Sequence, residues 1–192
     1  MAHTSGLCSD DDNSPGNEGL MQSQTEQPNW WKYTLDLPME SDPGTRYAYC
    51  SGGMNLVGAA LTAGTRTWLP ELFDRLIARP LQFGPYHWNL MPTDEGYLGG
   101  GVFLRSRDLL KVGQMYSNNG MWNGQQLLPV NWIKETVQSS NADKRKHYGY
   151  QFWLNGYDEN DNTRRWYPDV PADMFFCDGY GGSMSISFPL RN

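Results

Sequence analysis

Long apolar runs are missing from this sequence: no stretch approaches the ~20 residues that a membrane-spanning helix needs. Cysteine is scarce. The three present (Cys8, Cys50, Cys177) are too few and too unevenly spaced for a disulfide scaffold or a zinc site. Buried free thiols are the default expectation, with a Cys8–Cys50 bridge as the alternative. Histidine is as rare. His3, His87 and His147 lie far apart without ligand spacing, so each reads as a structural side chain and no metal is expected. Basic residues form one short run, Lys144-Arg145-Lys146, in a chain of net charge −6. Phosphate binding needs a basic face, so nucleic acid is excluded as the main partner and the run reads as a solvated loop. The opening Met-Ala-His-Thr-Ser-Gly-Leu has neither the charged nor the apolar region of a signal peptide. If the chain starts naturally there, it is not secreted by that route; if it is a fragment, its localisation is lost. Common catalytic signatures are missing too: no H-E-x-x-H, C-x-x-C, G-x-S-x-G or P-loop occurs.

What is present suits one domain with a proper core, in 192 residues. Hydrophobic residues at 39% and charged residues at 19% place it outside the disordered and membrane classes. Aromatics are frequent, with eight Trp and eleven Tyr. They read either as core and hairpin packing or as an aromatic-lined, carbohydrate-type cleft. Residues 5–28 are polar and turn-rich. The run Asp10-Asp11-Asp12 invites a calcium loop, but the position that needs glycine is Pro15, so a solvated loop is expected. No internal repeat is visible.

Helical spacing predicts a short helix from Trp30, stopped at Pro38, and a turn at Asp42-Pro43-Gly44. A helix follows from Gly52 to Gly64, with Met54, Leu56, Val57, Ala60 and Leu61 on its apolar side. Thr67 offers an N-cap for the next, burying Leu72, Phe73, Leu76 and Ile77. Ser106 and Asp108 open a third, carrying Leu109, Leu110, Val112 and Met115, and Pro129 a fourth through Val137. After residue 147 come short β-type runs at 148–154, 164–167, 174–177 and 184–188. Helices followed by strands predict an α+β fold with helices packed on an antiparallel sheet.

Two segments carry a resemblance. Pro43-Gly-Thr-Arg-Tyr-Ala-Tyr-Cys-Ser-Gly-Gly-Met-Asn-Leu-Val-Gly58 and Asp178-Gly-Tyr-Gly-Gly-Ser183 are similar to the Tyr-x-Ser/Asn and Lys-Thr-Gly or His-x-Gly elements of the penicillin-recognising serine hydrolases. Three weaker matches keep the same order: His3-Thr-Ser-Gly-Leu7, Gly99-Gly-Gly-Val-Phe-Leu-Arg-Ser-Arg-Asp-Leu-Leu110, and Tyr148-Gly-Tyr-Gln-Phe-Trp153. Five ordered segments spanning nearly the whole chain resemble the serine β-lactamase family. The resemblance implies a β-lactamase/transpeptidase-like fold, one domain over 1–192, without metal or organic cofactor. It implies a small-molecule or peptide-like ester, amide or β-lactam substrate.

Acyl transfer by a serine needs a proton acceptor and donors for the developing oxyanion. On the resemblance, Tyr49 is the general-base candidate, with Ser51 at the same edge; its other reading is a packed strand-to-helix tyrosine. Gly181 and Gly182 leave room for substrate beside the strand, and the Ser183 backbone N–H supplies an oxyanion donor; a bulge or hairpin bend is the alternative. Tyr180 stands where the family carries a cationic Lys or His. That departure shifts the expectation from β-lactams toward an esterase, amidase or peptidase-like member.

The family's nucleophile is missing. None of the five lysines has a serine three positions before it, whereas the family carries Ser-x-x-Lys upstream of its His-Thr-Ser-Gly-Leu segment. The family also continues past Phe188-Pro189-Leu190 into a strand and a long helix. A domain truncated at both ends is therefore expected, with a sheet edge and one face exposed and no turnover by these residues alone. A non-catalytic binding module on the same fold is the alternative, and a sugar-binding module using Trp153 or Trp166 a weaker one.

Overall fold

The computed structural model describes residues 2–8, 19–138, 147–156, 165–179 and 182–189. The acidic run at 10–12, the basic run at 144–146 and Tyr180-Gly181 lie outside the described residues. The chain divides into two compact units, His3–Arg105 and Ser106–Asn192, each with its own core.

The first unit holds α1 (Gly19–Gln24), α2 (Trp30–Leu35), α3 (Ser51–Thr65) and α4 (Leu69–Phe73). Asn29 caps α2 by accepting the Lys32 N–H at 2.9 Å. α1 corrects the expectation of a loop through residue 28. Its Gln24 is almost wholly buried and receives the Thr34 hydroxyl at 3.2 Å, a partner ten residues away that local periodicity does not reveal. α3 forms as expected, but its buried face is Ser51, Asn55 and Gly58 rather than the apolar side. Gly58 explains this. A Cβ there would lie 3.0 Å from Leu98 Cβ and 3.1 Å from Leu69 Cδ2, so a small residue lets the helix approach its neighbours closely.

Thr67 does not cap α4. Its hydroxyl turns back to the Thr65 carbonyl at 3.2 Å, and the helix starts after Trp68 with Pro70 in its first turn. α4 then widens into a π-helical turn, Asp74–Ala78, closed by Arg79 N–H on the Asp74 carbonyl at 2.9 Å. The wider turn rotates the following side chains. Leu76, expected inside, is 55% exposed, while Ala78 and Leu81 are buried. Leu69, Leu72 and Trp88 form the core with Phe73, Leu98 and Val102. Trp88 belongs to a two-stranded ribbon, β1 (His87–Trp88) with β2 (Val102–Phe103).

The second unit opens with α5 (Ser106–Ser117), followed by the hairpin β3 (Met121–Trp122) and β4 (Gln125–Gln126) and by α6 (Val130–Thr136). Asn123 and Gly124 both take positive φ, the conformation that a two-residue hairpin turn requires. β5 (Trp153–Leu154), β6 (Phe175–Gly179) and β7 (Ser183–Ser187) form an antiparallel sheet in that order. The fold is thus α+β, with α5 packed on the face bearing Ser185 and Ser187. A Cβ on Gly113 of α5 would fall 2.6 Å from Ser187 Oγ, so glycine sets that approach. The other face of β7 leaves Met184 and Ile186 half-exposed, with Phe188 just beyond it.

Two expectations fail here. Leu110 is 60% exposed, and the buried side of α5 presents Asp108, Gly113 and Met115. The run at 164–167 gives no strand among its described residues. Arg165 makes a single bridge, and at the end of the run Asn155 holds the backbone: its Oδ1 accepts the Tyr167 N–H, and its Nδ2 donates to the Tyr167, Val170 and Pro171 carbonyls at 3.0–3.2 Å.

Rings fill both cores. Phe73 meets Phe83, Tyr86 and Trp88 edge-on, and Phe152 packs against Tyr116 and Phe175. Among the described residues no helix is long and apolar enough to cross a membrane.

Candidate active site

The approach to Tyr49 is built by two stretches of backbone laid side by side. Cys8 N–H donates to Pro38 O, Glu40 N–H to Gly6 O, Gly44 N–H to Thr4 O and Ala48 N–H to His3 O, each at 2.8 Å. Gly6 is required in this run, since it takes a positive φ and a Cβ there would strike the Ser41 carbonyl. The chain then enters α3 through Cys50, whose Sγ accepts the Gly53 N–H at 3.3 Å as the helix cap.

Tyr49 is half-buried just before that cap. Its ring stacks on the His3 imidazole, centroids 4.1 Å apart and planes at 24°, while Tyr47 meets the same imidazole edge-on at 6.1 Å. His3 is buried, and its Nδ1 accepts the Cys50 N–H at 3.1 Å. Ser51, the first residue of α3, is only 4% exposed. Beside it, His3, Leu7, Cys50, Met54, Val57 and Ala60 line a groove of about 400 Å³. The half-exposed apolar side of α3 faces this groove.

The other candidates belong to the second unit. Gly179 pairs with Ser183 across the β6–β7 hairpin, and Gly182 takes φ +83° with its N–H on the Gly179 carbonyl at 3.1 Å. A Cβ on Gly182 would meet nothing within 4 Å, and Ser183 is exposed. Tyr180 and Gly181 lie outside the described residues.

None of the three cysteines is in a disulfide. Burial pushes the Cys177 thiol above its ordinary value. Among the described residues no group of His, Cys, Asp and Glu is arranged to hold a metal ion.

A family model for beta-lactamases matches residues 1–191. The chain belongs to the beta-lactamase family. Its structure is similar to that of a beta-lactamase candidate from Bacteroides dorei DSM 17855, with TM-score 0.69 and 21% identity, covering 97% of this chain and 58% of that one. It is also similar to a penicillin binding protein from Bacillus halodurans, with TM-score 0.67 and 14% identity over 98% of this chain and 62% of that one. A beta-lactamase from Mycobacterium bovis gives TM-score 0.57 and 14% identity, over 92% and 55%. At these identities the likeness speaks for the fold. The chain spans less than two thirds of each of the three. No curated protein matches it.

The family is of the serine hydrolase type. The contact of His3 with Tyr49 is not visible from the spacing of the histidines; the only sequence signal for it is the order of the His3–Leu7 match before the Tyr49 segment.

Proposed function

We propose that the chain belongs to an enzyme that hydrolyses an ester or amide through an acyl-serine, with Tyr49 as proton acceptor. The observation that supports this most is the fixing of Tyr49. A general base must be held in one geometry to act, and the Tyr49 ring is stacked on a buried imidazole while the backbone on both sides is hydrogen-bonded to the same residue. A phenol with its ordinary pKa near 10 accepts a proton at neutral pH only beside a positive charge. In the proposed enzyme the lysine of Ser-x-x-Lys supplies that charge, and its serine is the nucleophile. Ser183 lends its backbone N–H to the oxyanion, and the strand end at Gly182 admits the substrate.

No Ser-x-x-Lys occurs in the 192 residues, so these residues by themselves are inactive on this reading. Tyr180 in place of a cation favours esters, amides or peptides over β-lactams. The domain reading, one incomplete β-lactamase-related domain, goes with this proposal. Where the reading frame upstream of Met1 encodes Ser-x-x-Lys, fusing that segment should give ester hydrolysis, and Tyr49→Phe should then lower kcat by about 10²–10⁴. Full activity of that variant refutes the base assignment.

The missing nucleophile also favours a second reading, a binding module on the same fold. A true start codon at Met1, preceded by untranslated sequence, would support it.

A further inference from the structure

His3 touches the Tyr49 region at three points. Its carbonyl takes the Ala48 N–H at 2.8 Å, its Nδ1 takes the Cys50 N–H at 3.1 Å, and its ring lies against the Tyr49 ring at 4.1 Å. One residue thus holds the backbone before the tyrosine, the backbone after it and the ring between. The two residues are 46 positions apart, so the clamp is a product of folding rather than of local chain stiffness.

The clamp is itself held in an unusual backbone state. His3 takes φ +53°, the left-handed region that a side chain with a Cβ enters rarely, though histidine does so more often than most. That conformation persists only where its surroundings over-determine it. Here the side chain is 5% exposed, and Tyr47 closes it from the edge. An Nδ1 that accepts a hydrogen bond carries no proton, so the ring is engaged as a neutral imidazole with its other nitrogen as the donor.

We propose that His3 is the positioning residue for Tyr49: it fixes the ring plane of the phenol and, through Cys50, couples that plane to the first turn of α3. This rests on the reading of Tyr49 as proton acceptor, and it names the residue that prepares it. The imidazole does not take the substrate's proton. It acts through the tyrosine.

The two contacts can be separated by substitution. Asn at position 3 tolerates the left-handed backbone and can offer an acceptor to Cys50, but it has no ring to stack. Phe keeps a ring and has no acceptor. In the 192-residue chain carrying ¹³C-labelled tyrosine and ¹⁵N amides, His3→Asn should shift the Tyr49 ring resonances while Cys50 amide protection stays near that of the parent. His3→Phe should keep the Tyr49 ring resonances displaced, while the Cys50 amide exchanges about tenfold faster, as expected for loss of one ordinary hydrogen bond. A residue serving stability alone would leave Tyr49 unchanged in every variant that folds, and that result overturns the proposal. Should both variants fail to fold, the parent chain still decides: nuclear Overhauser contacts between the His3 and Tyr49 rings are expected, and their absence overturns it. Neither readout needs turnover. Full activity of Tyr49→Phe in the complete enzyme, with the clamp intact, would therefore count against the base assignment and leave the clamp standing.

Discussion

The Asp108 carboxylate, fully buried in α5, lies 2.8 Å from the Lys111 ammonium one turn further along the same helix. Asp108 falls in the Gly99–Leu110 segment that carries part of the family resemblance, and Lys111 follows it directly. Their geometry is that of a helix staple whose acidic end is sealed from water. Asp108→Ala leaves the ammonium without this partner, and Lys111 keeps some solvent. A stability loss of roughly 2–4 kcal/mol is expected by urea unfolding, somewhat under the cost of breaking a fully buried pair. A loss well below 1 kcal/mol would show that the pair contributes little.

Gly113 sets the approach of α5 to β7. Ala there would put its methyl 2.6 Å from Ser187 Oγ and 3.0 Å from Ser185 Oγ. Overpacking of this kind typically costs about 1–3 kcal/mol, which a shift in the unfolding midpoint would register. Because the nearest atom is a hydroxyl oxygen, the double variant Gly113→Ala/Ser187→Ala should recover part of that loss. Strict additivity of the two substitutions would place the strain elsewhere.

Asn155 is a bracket for residues 167–171: its two amide hydrogens are shared among three carbonyls and its Oδ1 accepts one N–H of that backbone. Asn155→Ala should cost about 2–4 kcal/mol if each bond is worth the usual ~1 kcal/mol. Limited proteolysis should also cut faster within 165–171. Unchanged cleavage there would contradict the bracket.

Burial raises the Cys177 thiol above its ordinary 9.0 and the Tyr116 phenol above 10.0. A group whose folded pKa is raised binds its proton more tightly in the native state. The associated stability is complete below the unfolded value and is lost as pH rises through the folded one. Stability should therefore fall on the alkaline side, beginning near pH 9, and Cys177→Ala should soften the first part of that fall. Urea midpoints measured from pH 7 to pH 11 test it. A flat profile in the parent chain would rule the coupling out.

The helices were legible where local chemistry decides them. Asn29 caps α2, Pro129 precedes α6, and the Tyr49–Gly58 stretch leads into α3 as its spacing suggested. What the sequence concealed depends on partners distant in the chain. α1 rests on the burial of Gln24 against Thr34, and the π turn after Phe73 turned Leu76 outward against a regular 3.6-residue count. Leu110 misled because the buried side of α5 accepts a charged pair and a glycine instead of leucines. At the site, motif order offered Tyr49 and Ser183 as candidates. It could not place the His3 ring on Tyr49, which follows from pairing residues 3–8 with 38–50.

The most direct test of the account is a pre-steady-state assay of the purified 192-residue chain with a p-nitrophenyl ester, coupled to intact-mass analysis. If the chain carries Tyr49 but not its serine nucleophile, no burst of p-nitrophenolate appears and no acyl adduct forms. A burst matching the protein concentration, with an adduct on the chain and both lost in Tyr49→Phe, would contradict the account by showing a nucleophile within these residues.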